Sequence, residues 1–582
     1  MATTQRDYSA TAERYAKDIV AGRIVAGEWT IKACRRQQEE RKRPISEDWP
    51  YKFDKERANR VCRFIELLPH IKGDWASRGQ KLTLEPWQIF VYTTVFGWVY
   101  RKGYSDPKTG RDLSGKRRFR FVYLEMARKN GKSTMSAPVG LYMTCADGEA
   151  GAEVYSAATK QDQARVAVWD PAKNMVEREA GLRRKFGIET SAHSIFQAES
   201  FFKPLSSEAK SLDALNIHCA IIDELHAHRT RHLYDVLESA RGSRLQPLLW
   251  MITTAGFDRS GICYEHHTYV KKILDGTAPD DAYFGMIFAL DKDDDWQDEK
   301  LWIKANPNLD VSVYSNELKP EARKAARIPS AQNGFLTKHL CVWVNASENL
   351  FNLTQWNSLA DSSLVPEDFS EDPCWIGLDF APRNDITSIV LLFRRELEGE
   401  SHYYAFARHY LSEGKVEESE NASYAGWARE GLLRTNPGNE TDERIIAQEL
   451  IDICFSGYQI QELDCDYSRV QGIQHKVKDE VGLSDDQVVD IPQNPKNLCP
   501  ATERLSALIA SGKIHHNGDP LLAWMLSNVI GKPKGNWGLY PDKERYENKI
   551  DGVQALLTAL SRAMVIELDE GEYDVTFLGA RT

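Results

Sequence analysis

Residues 119–134 read FRFVYLEMARKNGKST, and no other stretch restricts the fold of this chain so tightly. An apolar run ends at Met126, a short polar loop follows, and Gly131-Lys132-Ser133 opens a segment compatible with a helix. A strand, a tight loop and a helix N-terminus in that order place backbone N–H groups around an anion. In such a loop Lys132 would reach the β- and γ-phosphates of ATP, and the Ser133 hydroxyl would bind Mg²⁺. Arg128, Lys129, Asn130, Gly131 and Thr134 complete the candidate nucleotide-binding loop. Met126 stands where these loops usually carry their first glycine, and Gly-Lys-Ser alone also occurs in ordinary turns.

A second element strengthens the first. Residues 217–226 read IHCAIIDELH, an apolar strand ending in Asp223-Glu224. Asp223 can hold Mg²⁺ through its shell, and Glu224 can polarise an attacking water. A third strand, MITTAG at 251–256, again ends in small polar residues, as expected beside a γ-phosphate. Upstream, LEPWQIF offers Trp87 and Gln88, a ring and an amide that could stack on and hydrogen-bond an adenine. A helix start with a core Trp is the plainer alternative. Arg128, Arg241 and Arg244 are candidates for a catalytic arginine, with surface ion pairing as the default for each.

With 582 residues there is room for two or more domains, each with its own core. The segment from Phe119 to about Gly256 alternates buried-strand runs with helical stretches, which implies a largely parallel α/β sheet. The first hundred residues are expected to be helical. An acidic stretch, an Asn306-Pro307 turn and helical patterns, between about 291 and 347, are expected to form the end of domain one and its linker. A second α/β pattern begins at Cys374–Leu378, and a last helix is expected from about Asn548 to Ile566. The expected domains are 1–345 and 346–582, with an acidic, mobile tail after Leu568.

No repeat suggests a solenoid. The N-terminus lacks a signal peptide's apolar core, and Ile89–Tyr100 is too short to span a bilayer, so a soluble intracellular protein is expected. The ten cysteines form no CxxC pair, which argues against structural zinc. A net charge of −11 excludes a generally basic coat but not local DNA contact. Basic clusters at Lys32–Arg43, Lys116–Arg120 and Arg183–Lys185 read as solvated helix faces.

The second domain offers carboxylates at the ends of apolar runs. Asp379 closes one strand in WIGLDFAPRNDITSIV and Asp385 opens the next; Asp464 and Asp466 sit two apart in IQELDCDYSR; Asp551 lies on the last helix in NKIDGVQAL. Three such carboxylates could hold two divalent ions about 4 Å apart for phosphodiester cleavage. Oxygen-only ligands favour Mg²⁺ or Mn²⁺. Taken singly, each Asp reads as a cap or turn residue.

The ordered set ARKNGKS, AIIDELH, TTAG, LDFAPRNDIT, DCDY and KIDG resembles the large terminase subunits of HK97-like tailed phages. IVAGEW, WIKANPNL, FLTKHLCVW and DPLLAWMLSNV resemble that family too, so the likeness runs from about Tyr15 to Ala563. The resemblance implies an N-terminal ASCE-type P-loop ATPase and a C-terminal nuclease of RNase H-like fold. It implies Lys132, Ser133, Asp223 and Glu224 at the ATPase site. At the nuclease it implies Asp379, Asp466 and Asp551 as metal ligands, with Asp385 a helper and Asp464 the rival of Asp466. It further implies ATP-driven packaging of double-stranded DNA through a portal protein and cleavage of concatemers. The implied partners are a small terminase subunit and a homo-oligomeric ring, a pentamer in the family, docked at the procapsid in the host cytoplasm. A helicase or repair ATPase carrying a nuclease is the alternative enzyme, and a DNA-binding virion component the non-enzymatic one.

Overall fold

The computed structural model describes residues 6–158, 164–205, 215–228, 230–259, 261–344, 349–381, 383, 385–419, 423–545 and 547–565. The tail expected after Leu568 lies outside them. The chain divides into two compact units, one of Met1–Ala326 with Gly334–Val344, the other of Arg327–Asn333 with Asn345–Thr582.

The first unit opens with helices α1 (Tyr8–Val20), α2 (Glu28–Lys42), α3 (Lys55–Ile65) and α4 (Pro86–Gly97). Asp7 and Asp54 cap α1 and α3 by accepting from free N–H groups of the first turn. Tyr15 meets Phe90, with ring centroids 5.7 Å apart, and so packs α1 on α4.

The centre is an eight-stranded sheet. Its strands are β1 (Phe121–Glu125), β2 (Glu153–Ala157), β3 (Glu189–Thr190), β4 (Ile195–Gln197), β5 (Ser200–Leu205), β6 (Ile217–Asp223), β7 (Leu248–Thr253) and β8 (Tyr283–Ile287). Their order is β8-β1-β7-β6-β2-β5-β4-β3, parallel from β8 to β5 and antiparallel beyond. Every residue of β6 and β7 is buried, which is why these strands read as unbroken apolar runs. Helix α5 (Lys132–Cys145) follows β1, and α6 (Ile262–Leu274) follows β7. The C-terminal ends of β1, β6 and β7 lie side by side, where α/β sheets bind ligands.

The helical patterns expected between about 291 and 347 form helices. A short helical turn at Glu299–Lys304 and a helix at Ser315–Arg327 pack with Trp302, Leu318 and Phe335 into a small core. Helix α7 (Pro329–Leu340) follows. β8, just upstream, adds an edge strand that alternation alone did not reveal.

The second unit is a seven-stranded mixed sheet. Its strands are β9 (Pro373–Asp379), β10 (Thr387–Leu397), β11 (Glu400–Ser412), β12 (Leu433–Asn436), β13 (Gln459–Cys465), β14 (Val488–Asp490) and β15 (Ile514–His516). The order is β12-β11-β10-β9-β13-β14, with β15 on β11. β10 pairs antiparallel with both β9 and β11, β12 and β15 are parallel to β11, and β13 and β14 are parallel to β9. Helices α8 (Glu443–Phe455) and α9 (Tyr467–Val481) cover one face; α10 (Pro495–Ser511) and α11 (Asp551–Ala563) belong to the core on the other. α11 approaches β9 closely because Gly377 lacks a side chain: a Cβ there would lie 2.0 Å from Ala555 O. Among the described residues no helix is long and apolar enough to cross a membrane.

Candidate functional sites

In the first unit the β1–α5 loop takes the shape of a phosphate cradle. Lys129 and Gly131 adopt positive φ, 65° and 79°, which turns the chain into the N-terminus of α5. Lys132 is buried; its Nζ donates to Met126 O and Ala127 O, each at 3.4 Å, and lies 3.7 Å from Glu224 Oε1. Ser133 is half-buried and Thr134 exposed on the first turn.

Asp223 ends β6 with its Oδ1 buried and lacking a hydrogen-bond partner. Burial, and then the neighbouring Glu224 carboxylate, push its pKa up to about 6. Glu224 sits at φ 51°, in the left-handed region. Burial opposes its ionisation, but His226, Lys132 and Arg128 outweigh it and bring the carboxyl to about 2. At the end of β7, Thr253 and Thr254 are buried and contact His226.

The loop is held from outside by residues that sequence reasoning missed as functional. Asn130 Nδ2 donates to Asn306 Oδ1 at 2.9 Å, and the Asn308 N–H donates to Asn130 Oδ1 at 3.0 Å. Ser312 Oγ donates to Lys129 O at 2.7 Å, and the Arg128 N–H to Lys338 O at 2.8 Å. The only local signal was the polar Asn-Pro-Asn within an apolar neighbourhood. Glu125, wholly buried one residue before the loop, is likewise new. It accepts from Tyr123 OH at 2.5 Å and Trp343 Nε1 at 3.1 Å, with His267 Nδ1 2.9 Å away.

Trp87 takes the plainer of its two readings. It is buried, its ring stands edge-on to Phe288, and its Nε1 donates to Asn308 Oδ1 at 2.7 Å, so it presents no face for stacking. Gln88 accepts from the Glu85 N–H at 3.0 Å, and its amide lies near Gly131. Arg128 is exposed on the loop. Arg241 lies over Phe121, the first residue of β1, at 4.2 Å; Arg244 donates to Glu149, Ala150 O and Gly151 O, just before β2. Both therefore sit at the N-terminal ends of the strands, away from the loop that follows the C-terminal end of β1.

In the second unit Asp379 and Asp385 lie within electrostatic reach of Asp551 near the end of β9. Asp379, its last residue, is buried and accepts from Gln493 Nε2 at 2.9 Å. Asp551 opens α11, buried, with Oδ2 lacking a hydrogen-bond partner. Its pKa rises to about 8, first from burial and then from the charges of Asp379 and Asp385. Asp385 is ion-paired with Lys549 and lies 3.5 Å from Lys543.

The last paired residues of β9 and β13 are Leu378 and Cys465, so Asp379 and Asp466 follow one residue beyond on adjacent strands. Asp464 pairs with Gly377, deeper under α11, with both oxygens buried and lacking hydrogen-bond partners. Burial, and then Glu462 beside it, hold its pKa far above the carboxylate range. Among the described residues no three ligand-type side chains already converge on one point. The all-oxygen donor set and the orphaned oxygen of Asp551 nevertheless fit a hard divalent cation.

Two family models match the chain: "Terminase large subunit, ATPase domain" over residues 86–272 and "Terminase large subunit, endonuclease domain" over residues 277–567. Protein YmfN of Escherichia coli (strain K12) is 38% identical over 368 residues, covering 62% of this chain and 80% of the relative. The terminase large subunit of Enterobacteria phage HK97 is 26% identical over 519 residues, covering 87% and 95%. The crystal structure of the HK97 large terminase aligns over 87% of this chain and 99% of its own, with 23% identity and a TM-score of 0.41.

Proposed function

This chain belongs to the terminase large subunits, with an ATPase and an endonuclease domain that package and cut DNA, and from that premise we propose which residues perform each step. The observation that carries the ATPase assignment is the approach of Lys132 to Glu224 at 3.7 Å, across two strand ends far apart in sequence. Lys132 leaves its loop carbonyls for the β- and γ-phosphates of ATP, while the N–H groups of the loop and of α5 cradle them. Glu224 orients a water in line with the γ-phosphorus. As that water attacks, the bond to the β–γ bridging oxygen breaks, ADP leaves, and Glu224 takes the water's proton. A Mg²⁺ accompanying the nucleotide would be held by Ser133 and Asp223, where it offsets charge on the phosphate oxygens.

In the nuclease, Asp379, Asp466 and Asp551 would hold two Mg²⁺ or Mn²⁺, which supply an activated water and stabilise the leaving oxygen. Lys549 and Lys543 keep Asp385 beside them. The grip on DNA is to phosphates and blind to sequence. Recognition of the packaging start then falls to a small terminase subunit. The motor works as a ring, a pentamer by family resemblance, docked on the portal of a procapsid in the host cytoplasm.

The test is a double dissociation in the full chain. Lys132→Ala abolishes DNA-stimulated ATP hydrolysis and leaves Mn²⁺-dependent cleavage; Asp379→Ala does the reverse. Normal hydrolysis by Lys132→Ala would refute the site.

A further inference from the structure

His226 stands where three parts of the nucleotide site meet. It follows Glu224 by two residues, in the short helical turn Leu225–Ala227 that leaves β6. Its backbone N–H donates to Thr253 Oγ1 at 3.1 Å. Its Nδ1 lies 3.1 Å from the same oxygen, 3.3 Å from Thr254 Oγ1 and 3.2 Å from Glu224 Oε2. The last approach is close but off the line of a good hydrogen bond, since Oε2 is buried without a well-aligned partner.

The Thr253 hydroxyl spends its own proton on Thr254 O at 2.9 Å. The Glu224 carboxylate oxygen beside Nδ1 favours the hydrogen on that nitrogen, the assignment in which the Thr253 hydroxyl accepts from it. That N–H therefore faces two threonine oxygens and the carboxylate. The turn after β7 is packed against the same histidine: a Cβ on Gly256 would come within 3.2 Å of His226 Cβ and 3.3 Å of Trp343 Cζ3.

Glu224 keeps a left-handed backbone, a conformation that persists in a non-glycine residue only when its surroundings hold it. On one side its carboxylate is held by Lys132, the group drawn away when phosphates arrive. On the other side is His226, which has no reason to leave.

We propose that His226 is a positioning residue for ATP hydrolysis, fixing the Glu224 carboxylate against the Thr253-Thr254 turn so that a shift of the turn re-aims the carboxylate at the attacking water. This rests on the reading of Glu224 as the group that orients that water.

The experiment is steady-state ATP hydrolysis by the full chain with duplex DNA, with circular dichroism and thermal melting against wild type as the check on folding. His226→Ala is expected to lower kcat on the order of 10²-fold, with KM for ATP within about twofold. His226→Asn, whose amide can place an N–H where Nδ1 stands, recovers most of that loss, whereas His226→Gln, which reaches the Nε2 position, does not. The Asn–Gln contrast decides the matter even if the alanine variant fails to fold. Wild-type turnover in His226→Ala, a rise in KM with kcat kept, or equal activity of the Asn and Gln variants overturns the proposal. Glu224→Gln separates the two readings. If it still hydrolyses ATP, the Glu224 assignment fails; if it is inactive while His226→Ala turns over normally, only the His226 inference fails.

Discussion

At the scale of single residues, burial decides which groups can carry charge, and the first unit has sites where that becomes measurable. His266 in α6 is buried, with Nδ1 2.9 Å from Tyr283 OH and Nε2 lacking a partner. Burial, then the charge of Arg231, lowers its pKa from 6.5 to about 4. His228 is lowered to about 4 as well, chiefly by burial. Both are therefore held neutral in the folded chain until well below pH 6.5. The unfolded chain takes up protons below pH 6.5 and the folded one only near pH 4, so stability present above 6.5 is lost as pH falls through that window. For His266 the loss is on the order of 3 kcal/mol. Thermal melting of the full chain should show the midpoint dropping between pH 7 and pH 4.5, and His266→Leu should flatten part of that drop. A midpoint equally pH-dependent in wild type and variant would remove His266 as a cause.

At the scale of elements, the decisive contacts join segments that are remote in sequence. The clamp on the phosphate loop crosses 176 residues from Asn130 to Asn306 and 178 to Asn308. Asn308→Ala deletes the donor to Ser312 Oγ and the acceptor for Trp87 Nε1, leaving that buried indole N–H unpaired at about 1–3 kcal/mol. The loop should then be less pre-shaped for phosphates. KM for ATP is expected to rise roughly tenfold while endonuclease activity is unchanged, and an unaltered KM would show that the clamp is dispensable. In the second unit, Gly377→Ala drives a methyl group into Ala555 O and must push α11 away from β9. Asp551 opens that helix, so metal-dependent cleavage should fall sharply with ATP hydrolysis retained. These same elements mark what the sequence could reveal. β6 and β7 were legible because both faces are buried and, His218 apart, every residue is apolar or ends the strand at the site. β8 (YFGMI) was not, because it becomes a strand only by pairing with β1, and its acidic flank resembled a linker. The carboxylates were legible as strand and helix ends. His226, Glu125 and the asparagine clamp were not, because their meaning lies in contacts no periodicity encodes.

At the scale of the whole molecule, the sequence families and the folded units divide the chain differently. The endonuclease family model begins at residue 277, yet residues up to Ala326 and again Gly334–Val344 fold with the first unit. Asn306, Asn308 and Trp343 thus serve the ATPase although family matching groups them with the nuclease, so a nuclease fragment cut at 277 would expose part of the ATPase core. The charge balance sets a second whole-chain expectation. A net charge of −11 repels DNA at long range, so binding must come from local clusters of Lys and Arg against phosphates. Such binding releases counterions, and its constant falls steeply with salt, roughly 10³-fold between 50 and 200 mM if about six phosphates are neutralised. ATP held by a built loop has no comparable dependence. The DNA concentration giving half-maximal stimulation of hydrolysis should therefore climb steeply over that salt range, equally for duplexes of unrelated sequence, while KM for ATP without DNA changes little. A salt-insensitive stimulation, or one confined to a particular sequence, would mean that this subunit reads bases rather than gripping phosphates, and the proposed assignment of sequence recognition to another subunit would fall.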